Sequence, residues 1–122
     1  MSNTFSIVVA GGRKFNNYGL LRQKLDALLS VKAVTHDIVI VSGTAAGADR
    51  LGERYAAERG YSVVQFPAQW DKFGKSAGYR RNEEMAENAD AVVCFWDGTS
   101  RGTKHMIDIA GAKNLPTRVI NY

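Results

Sequence analysis

The stretch "VVCFWDGTSRGTKHMIDIA", Val92 to Ala110, is apolar to Trp96 and breaks at Asp97. It continues through Gly98, Thr99, Ser100, Arg101, Gly102 and Thr103 before an apolar pattern resumes at helical spacing. A second stretch, "IVIVSGTAAGADRLGERYA" from Ile38 to Ala56, has the same form. A strand that enters a helix through a glycine-rich turn presents unpaired backbone N–H groups at the positive end of the helix dipole. Glycines admit a ligand close to the backbone and hydroxyls add donors, a combination suited to phosphate. In the first stretch Arg101 and Lys104 would be the charge partners; the same glycines would equally shape a turn, and Thr103 would equally cap the helix. Neither loop matches G-x-x-x-x-G-K-[ST], which argues against a Walker-type nucleotide triphosphatase.

Three further sets of residues carry possible chemistry. In "SGTAAGAD", Ser42, Gly43 and Thr44 leave a strand and Gly47, Ala48 and Asp49 open a helix. Asp49 either stabilises that helix start by its charge or aims a carboxylate at a ribose or base. In "AGGRKF", Gly11, Gly12 and Arg13 suit close backbone approach with a bidentate anion contact, or a plain turn with a solvated arginine. "WDKFGKSAGYRRN" holds Trp70, Phe73, Lys75, Tyr79, Arg80, Arg81 and Asn82. Rings interleaved with cations suit base stacking and phosphate neutralisation, or Trp70 and Phe73 simply pack the loop down.

Catalytic candidates are few. Asp49 and Asp97 are the acidic residues placed to act as a general base. Ser42 and Ser100 lack a base partner, while Glu83, Glu84 and Glu87 read as a solvated helix face. His36 and His105 have no third ligand, so no metal is expected, and no motif calls for a cofactor.

Five apolar segments must position these loops: Phe5–Ala10, Asp37–Ser42, Tyr61–Phe66, Ala91–Trp96 and Thr117–Ile120. The second and fourth lack polar alternation, as in strands buried on both faces. Between them run helical stripes: Leu21, Leu25, Leu28 and Leu29; Leu51, Tyr55 and Ala56; Tyr79 to Glu87 with Met85 and Ala86; and Met106, Ile107, Ala110 and Ala112, expected to face the core. Regular alternation of strand and helix implies right-handed crossovers. The expected fold is α/β, a single Rossmann-like three-layer sandwich with a mainly parallel five-stranded sheet, formed by residues 1–122 as one domain. Connections into strands are mostly short, whereas those leaving strands are long and glycine-rich. The elaborated loops therefore gather at the strand carboxyl edge, where open α/β sheets bind ligands. Eight of the sixteen basic residues fall on that side: Arg13, Lys14, Lys72, Lys75, Arg80, Arg81, Arg101 and Lys104.

Composition narrows the class. The chain has 122 residues, 45% hydrophobic and 23% charged, with a formal net charge of +4. These proportions suit one folded domain with an anionic partner. No apolar run approaches the roughly 20 residues that cross a bilayer, so no membrane partner is expected. "MSNTFSIVVAGG" lacks the form of a secretory signal. The lone Cys94 forms no disulfide framework, and a cytoplasmic setting fits best.

"GGRKF", "SGTAAGADRLGERYA", "W…FGKSAGYRRNEEM" and "ADAVVCFWDGTSRGTKHMI" together resemble the SLOG superfamily of Smf/DprA-type and Lonely-Guy-type Rossmannoid domains. They resemble in particular its YspA, or cpYpsA-related, branch of small stand-alone bacterial and phage domains. The resemblance spans the whole chain. It implies a pocket for a nucleotide-derived ligand, with matching residues at Gly11, Gly12 and Arg13, at Ser42, Gly43, Gly47 and Asp49, at Arg81 and Asn82, and at Gly98, Gly102 and Thr103. Lonely-Guy-type enzymes carry PGGxGTxxE; here "DGTSRGTKHM" keeps the Gly-Thr but has Met106 where the family glutamate falls. The leading expectation is thus binding or sensing of an ADP-ribose-like or cyclic nucleotide in a basic, glycine-rich pocket. The alternatives are a nucleotide hydrolase of phosphoribohydrolase type and a single-stranded nucleic-acid binder. Self-association among such relatives makes a homo-oligomer an expectation too.

Overall fold

The computed structural model describes residues 3–122; Met1 and Ser2, the first residues of the expected domain and of its amino-terminal stretch, lie outside it. Five strands form one parallel sheet: β1 (Thr4–Gly11), β2 (Asp37–Ser42), β3 (Ser62–Gln65), β4 (Ala91–Trp96) and β5 (Thr117–Asn121). Their spatial order is β3-β2-β1-β4-β5. Strand β1 is central, with Ile7 opposite Ile40 of β2 and Ala91 of β4. The helices are α1 (Tyr18–Leu29), α2 (Lys32–Thr35), α3 (Ala48–Arg59), α4 (Trp70–Phe73), α5 (Ala77–Glu87) and α6 (Arg101–Ala112).

Strand pleat divides the apolar residues between two cores. Ile7, Val9, Ala91, Val93 and Phe95 face one side, against Leu21, Leu25 and Leu29 of α1 and Tyr55 and Ala56 of α3. Val8, Ala10, Val92 and Cys94 face the other, against Met85 and Ala86 of α5 and Met106 and Ala110 of α6. The Rossmann-like three-layer sandwich read from the sequence is thereby confirmed. Of the two strands expected to be buried on both faces, β4 is so along its length and β2 from Ile40 to Ser42, and the central β1 joins them.

The elements differ from expectation in detail. Ala112 is exposed rather than core-facing, because it lies in the last turn of α6 beyond the end of the sheet's cover. Tyr61 lies between α3 and β3: its N–H donates to the Ala56 carbonyl around Gly60, whose φ of 74° closes the helix. The third strand-exit connection is not an open loop. It contains α4 and a 3-10 turn at Gly74–Ser76, so that α5 begins at Ala77, before Tyr79. The link from α1 to β2 likewise carries α2.

Strand order reverses between β1 and β4, so the chain leaves their carboxyl ends in opposite directions and opens a crevice there. The amino end of α3 closes on the loop after β1. Ala48 N–H donates to the Gly12 carbonyl at 3.3 Å. A Cβ on Gly47 would stand 2.2 Å from that carbonyl oxygen, and its φ of 82° with ψ of −128° disfavours any side chain. The glycine thus serves contact between two loops. Gly47→Ala combines backbone strain with overlap and should destabilise the chain by about 3 kcal/mol, read from the midpoint of urea unfolding at unchanged slope.

Candidate functional site

The four strand-exit segments converge on a cleft of about 450 Å³ above the β1–β4 crevice. Gly11 ends β1 and Gly12, Arg13 and Lys14 follow it, while Ala45 comes from the β2–α3 loop and Asp49 from the first turn of α3. Trp70, Lys75, Gly78, Tyr79, Arg81 and Asn82 come from the α4–α5 region, and Asp97, Ser100, Gly102 and Thr103 from the β4–α6 turn. Tyr122, beyond β5, completes the rim. A smaller hollow of about 380 Å³ adjoins it, lined by Gly43, Thr44 and Pro67 among others, and shares Arg13, Ala45, Trp70 and Arg81.

Arg81 organises the interior. It projects from α5, and its Nη1 donates to the Gly43 carbonyl while its Nε donates to Asn82 Oδ1 at 3.0 Å. A Cβ on Gly43 would stand 2.5 Å from Arg81 Nη1 and 2.8 Å from Asp49 Oδ2, so a side chain there would displace one or both of these groups. Asn82 is 5% exposed. Its oxygen is taken by Arg81, so its amide nitrogen donates to the Gly102 carbonyl and to His105 Nδ1, each at 3.2 Å. His105 therefore accepts at Nδ1 and carries its proton on Nε2. Its ring lies against Tyr79 with centroids 4.1 Å apart. Burial lowers the His105 pKa below the ordinary value.

Asp49, 5% exposed, accepts from Ala45 N–H through Oδ2 at 3.1 Å. Burial raises its pKa to about 6, against the opposing effects of the Ala45 N–H and of Arg81 and Arg13. Asp97, the other acidic candidate, is exposed and already occupied. Its Oδ1 accepts from the N–H groups of Thr99 and Ser100, both at 2.8 Å, and those bonds hold its pKa below the usual carboxylate value.

That turn corrects one expectation: the Thr99 and Ser100 amides meet the chain's own carboxylate, and Gly98 and Thr99 do not line the cleft. The open donors lie one step further on. Ser100 starts α6 without any side chain capping its first turn, and its hydroxyl instead meets Thr103 Oγ1 at 3.1 Å. Ser42 is also not presented to a ligand. It is wholly buried, donates to Glu53 Oε2 at 2.7 Å and accepts from Thr44 N–H at 3.1 Å. The second bond holds Thr44 at a φ of 65°, strained for a β-branched residue.

Of the eight basic residues expected at this edge, Arg13, Lys14, Lys75 and Arg81 line the cleft. Lys104 turns along α6 to Asp108 at 2.6 Å. Lys72 and Arg80 flank the Phe73 ring at 5.0 and 4.4 Å, so that ring holds the chain's own cations rather than a stacked base. Lining residues missed from the sequence are Tyr122, Met85 and Met106. Tyr122 was hidden by its distance along the chain, and its hydroxyl fills the space a Cβ on Gly12 would need. Cys94 is buried and burial pushes its pKa to about 12, which removes thiolate chemistry at neutral pH. Among the described residues no group of three or more His, Cys, Asp or Glu could hold a metal, and no helix is long and apolar enough to cross a membrane.

Residues 5–73 match the YspA, cpYpsA-related SLOG family. The Gene 61 protein of Mycobacterium phage D29 is 37% identical over 93 residues, covering 71% of this chain and 73% of that protein. The chain belongs to this SLOG family. Its fold is shared with DNA processing protein A (DprA) from Streptococcus pneumoniae, at a TM-score of 0.74 and 17% identity over 98% of the SLOG chain and 51% of DprA. A second neighbour is DprA from Helicobacter pylori, described for its single-stranded DNA binding mode, at a TM-score of 0.66 and 18% identity over 94% and 64%. The SLOG chain thus spans about half the length of the first and under two thirds of the second.

Two titrations follow from this geometry. Between about pH 4 and 6 folded Asp49 keeps a proton that the unfolded chain has released, so its contribution to stability falls as pH rises through that window. Relative to Asp49→Asn, the native sequence should gain roughly 1 kcal/mol of unfolding free energy between pH 7 and pH 5. His105 should titrate below the ordinary histidine value of about 6.5 and remain the Nε2–H tautomer at pH 7, as read from its ring ¹⁵N shifts.

Proposed function

We propose that the chain binds or senses a nucleotide-derived ligand, of ADP-ribose or cyclic nucleotide type, in the cleft at the strand carboxyl ends. The observation that carries this reading is the gathering of Arg13, Lys14, Lys75 and Arg81 around one hollow that also receives the uncapped first turn of α6. Cations and free amides at one place suit a phosphate or diphosphate. Trp70, 51% exposed, and Tyr79, 46% exposed, offer ring faces at the rim for a base. A volume of about 450 Å³ lies within the usual range for small-molecule sites. The adjoining hollow, entered past Arg13 and Arg81, leaves room for a second moiety.

Hydrolysis of the phosphoribohydrolase type has less support. Met106, where that enzyme class has its glutamate, is 1% exposed and contributes a thioether to the cleft wall. Asp97 is held ionised by two backbone amides, so it is poorly suited to donate a proton. Single-stranded nucleic acid is the second reading. DprA from Helicobacter pylori is described as binding it, and exposed Lys72, Lys75 and Arg80 beside Trp70 would suit a strand laid across the rim.

Calorimetric titration with ADP-ribose, cyclic mononucleotides and a short oligonucleotide separates these readings. A mononucleotide-derived ligand should bind at 0.5 M salt, where backbone-driven oligonucleotide binding is largely lost. Trp70→Ala and Lys75→Ala, both at exposed positions, should each weaken it by about tenfold with the unfolding midpoint unchanged. Tight oligonucleotide binding with no response to any mononucleotide would sink the reading.

A further inference from the structure

One polar atom in the cleft is left over by everything above. Asp49 is 95% buried by the measure of its 5% exposure, and its only side-chain hydrogen bond is through Oδ2. Every deeply buried side-chain N or O among the described residues has a partner. Asp49 Oδ1 has none, so it is the part of this carboxylate that reaches the cleft it lines.

A bare carboxylate oxygen beside a phosphate-binding arginine repels the phosphate unless the ligand brings a hydrogen-bond donor to it. The distance between anion and donor is fixed by Gly43: Arg81 Nη1 and Asp49 Oδ2 both lie within 3 Å of the one point where its Cβ would be. A ligand whose phosphate meets Arg81 therefore needs its donor only a few bonds away. In a nucleotide the ribose hydroxyls meet that requirement, while the exocyclic amines of the base lie at the far end of the molecule.

We propose that Asp49 is a specificity-determining residue that accepts a hydrogen bond from a ribose 2′- or 3′-hydroxyl, so that the site selects ribonucleotides over deoxyribonucleotides. This rests on the nucleotide-binding reading and deepens it. It also separates the chain from a binder of DNA, which offers no 2′-hydroxyl and whose 3′-oxygen is esterified along the strand.

The test is calorimetric titration of the native chain with AMP, 2′-deoxy-AMP, 3′-deoxy-AMP and IMP, repeated with Asp49→Asn. At least one deoxy analogue should bind about tenfold or more weakly than AMP, as expected for loss of a hydrogen bond to a charged acceptor. IMP, which lacks the adenine amine, should match AMP. In Asp49→Asn the AMP to deoxy-AMP ratio should fall toward one, a change that a purely structural role for the carboxylate would not produce. Equal affinity of the native chain for AMP and both deoxy analogues overturns the inference and leaves nucleotide binding standing. A loss seen only with IMP overturns it in favour of the base amine. Failure of all four to bind while ADP-ribose or a cyclic mononucleotide binds overturns this inference alone; failure of those ligands as well overturns the nucleotide reading with it.

Discussion

Arg81 brings a positive charge under the strand ends, and the surrounding structure offsets part of the desolvation of that charge. The Gly43 carbonyl and the Asn82 side-chain oxygen accept from it, and the buried Asp49 carboxylate stands nearby. A guanidinium suits this place because its planar fork serves several acceptors at once and its charge is retained when water is removed. Removing any one partner would leave a buried charge or donor unmet, which costs far more than the intact arrangement contributes. Gly43 and the β2–α3 turn are explained by this requirement before any ligand is considered.

The same economy governs the loops. Backbone amides at the start of a helix attract anions, and the chain supplies its own wherever a ligand is not meant to sit. Asp97 takes the Thr99 and Ser100 amides, and Asp49 takes the Ala45 amide. Ser42, fixed by Glu53, takes the amide of strained Thr44. The first turn of α6 has no side-chain cap, and Asp49 Oδ1 has no hydrogen-bond partner among the described residues. These residual donors and acceptors give the cleft its polarity.

Much of this was legible in the sequence. The double-sided burial of β2 and β4, the alternation with helices and the gathering of glycine-rich exits at one edge all follow from local pattern, and the fold and family came out as read. The role of each residue was less legible, because it depends on orientation. Lys104 and Arg101 sit beside the glycine turn in sequence, yet Lys104 reaches Asp108 one turn along its own helix. Gly47 reads as room for a ligand and in fact makes room for the Gly12 carbonyl. Ser42 reads as a presented hydroxyl and is fully enclosed. Tyr122 is brought to the rim by β5 pairing with β4, a contact that no local window contains.

Asn82 joins Arg81 of α5 to the Gly102 carbonyl of α6, and the tilted rings of His105 and Tyr79 meet across the same seam. These two helices are consequently tied to each other along one side of the cleft. Accommodation to guests of different size then falls on the adjoining Trp70–Ser76 stretch, whose side chains stand mostly in solvent. Exchanges there would retune which molecule is admitted without disturbing the grip on its charged end.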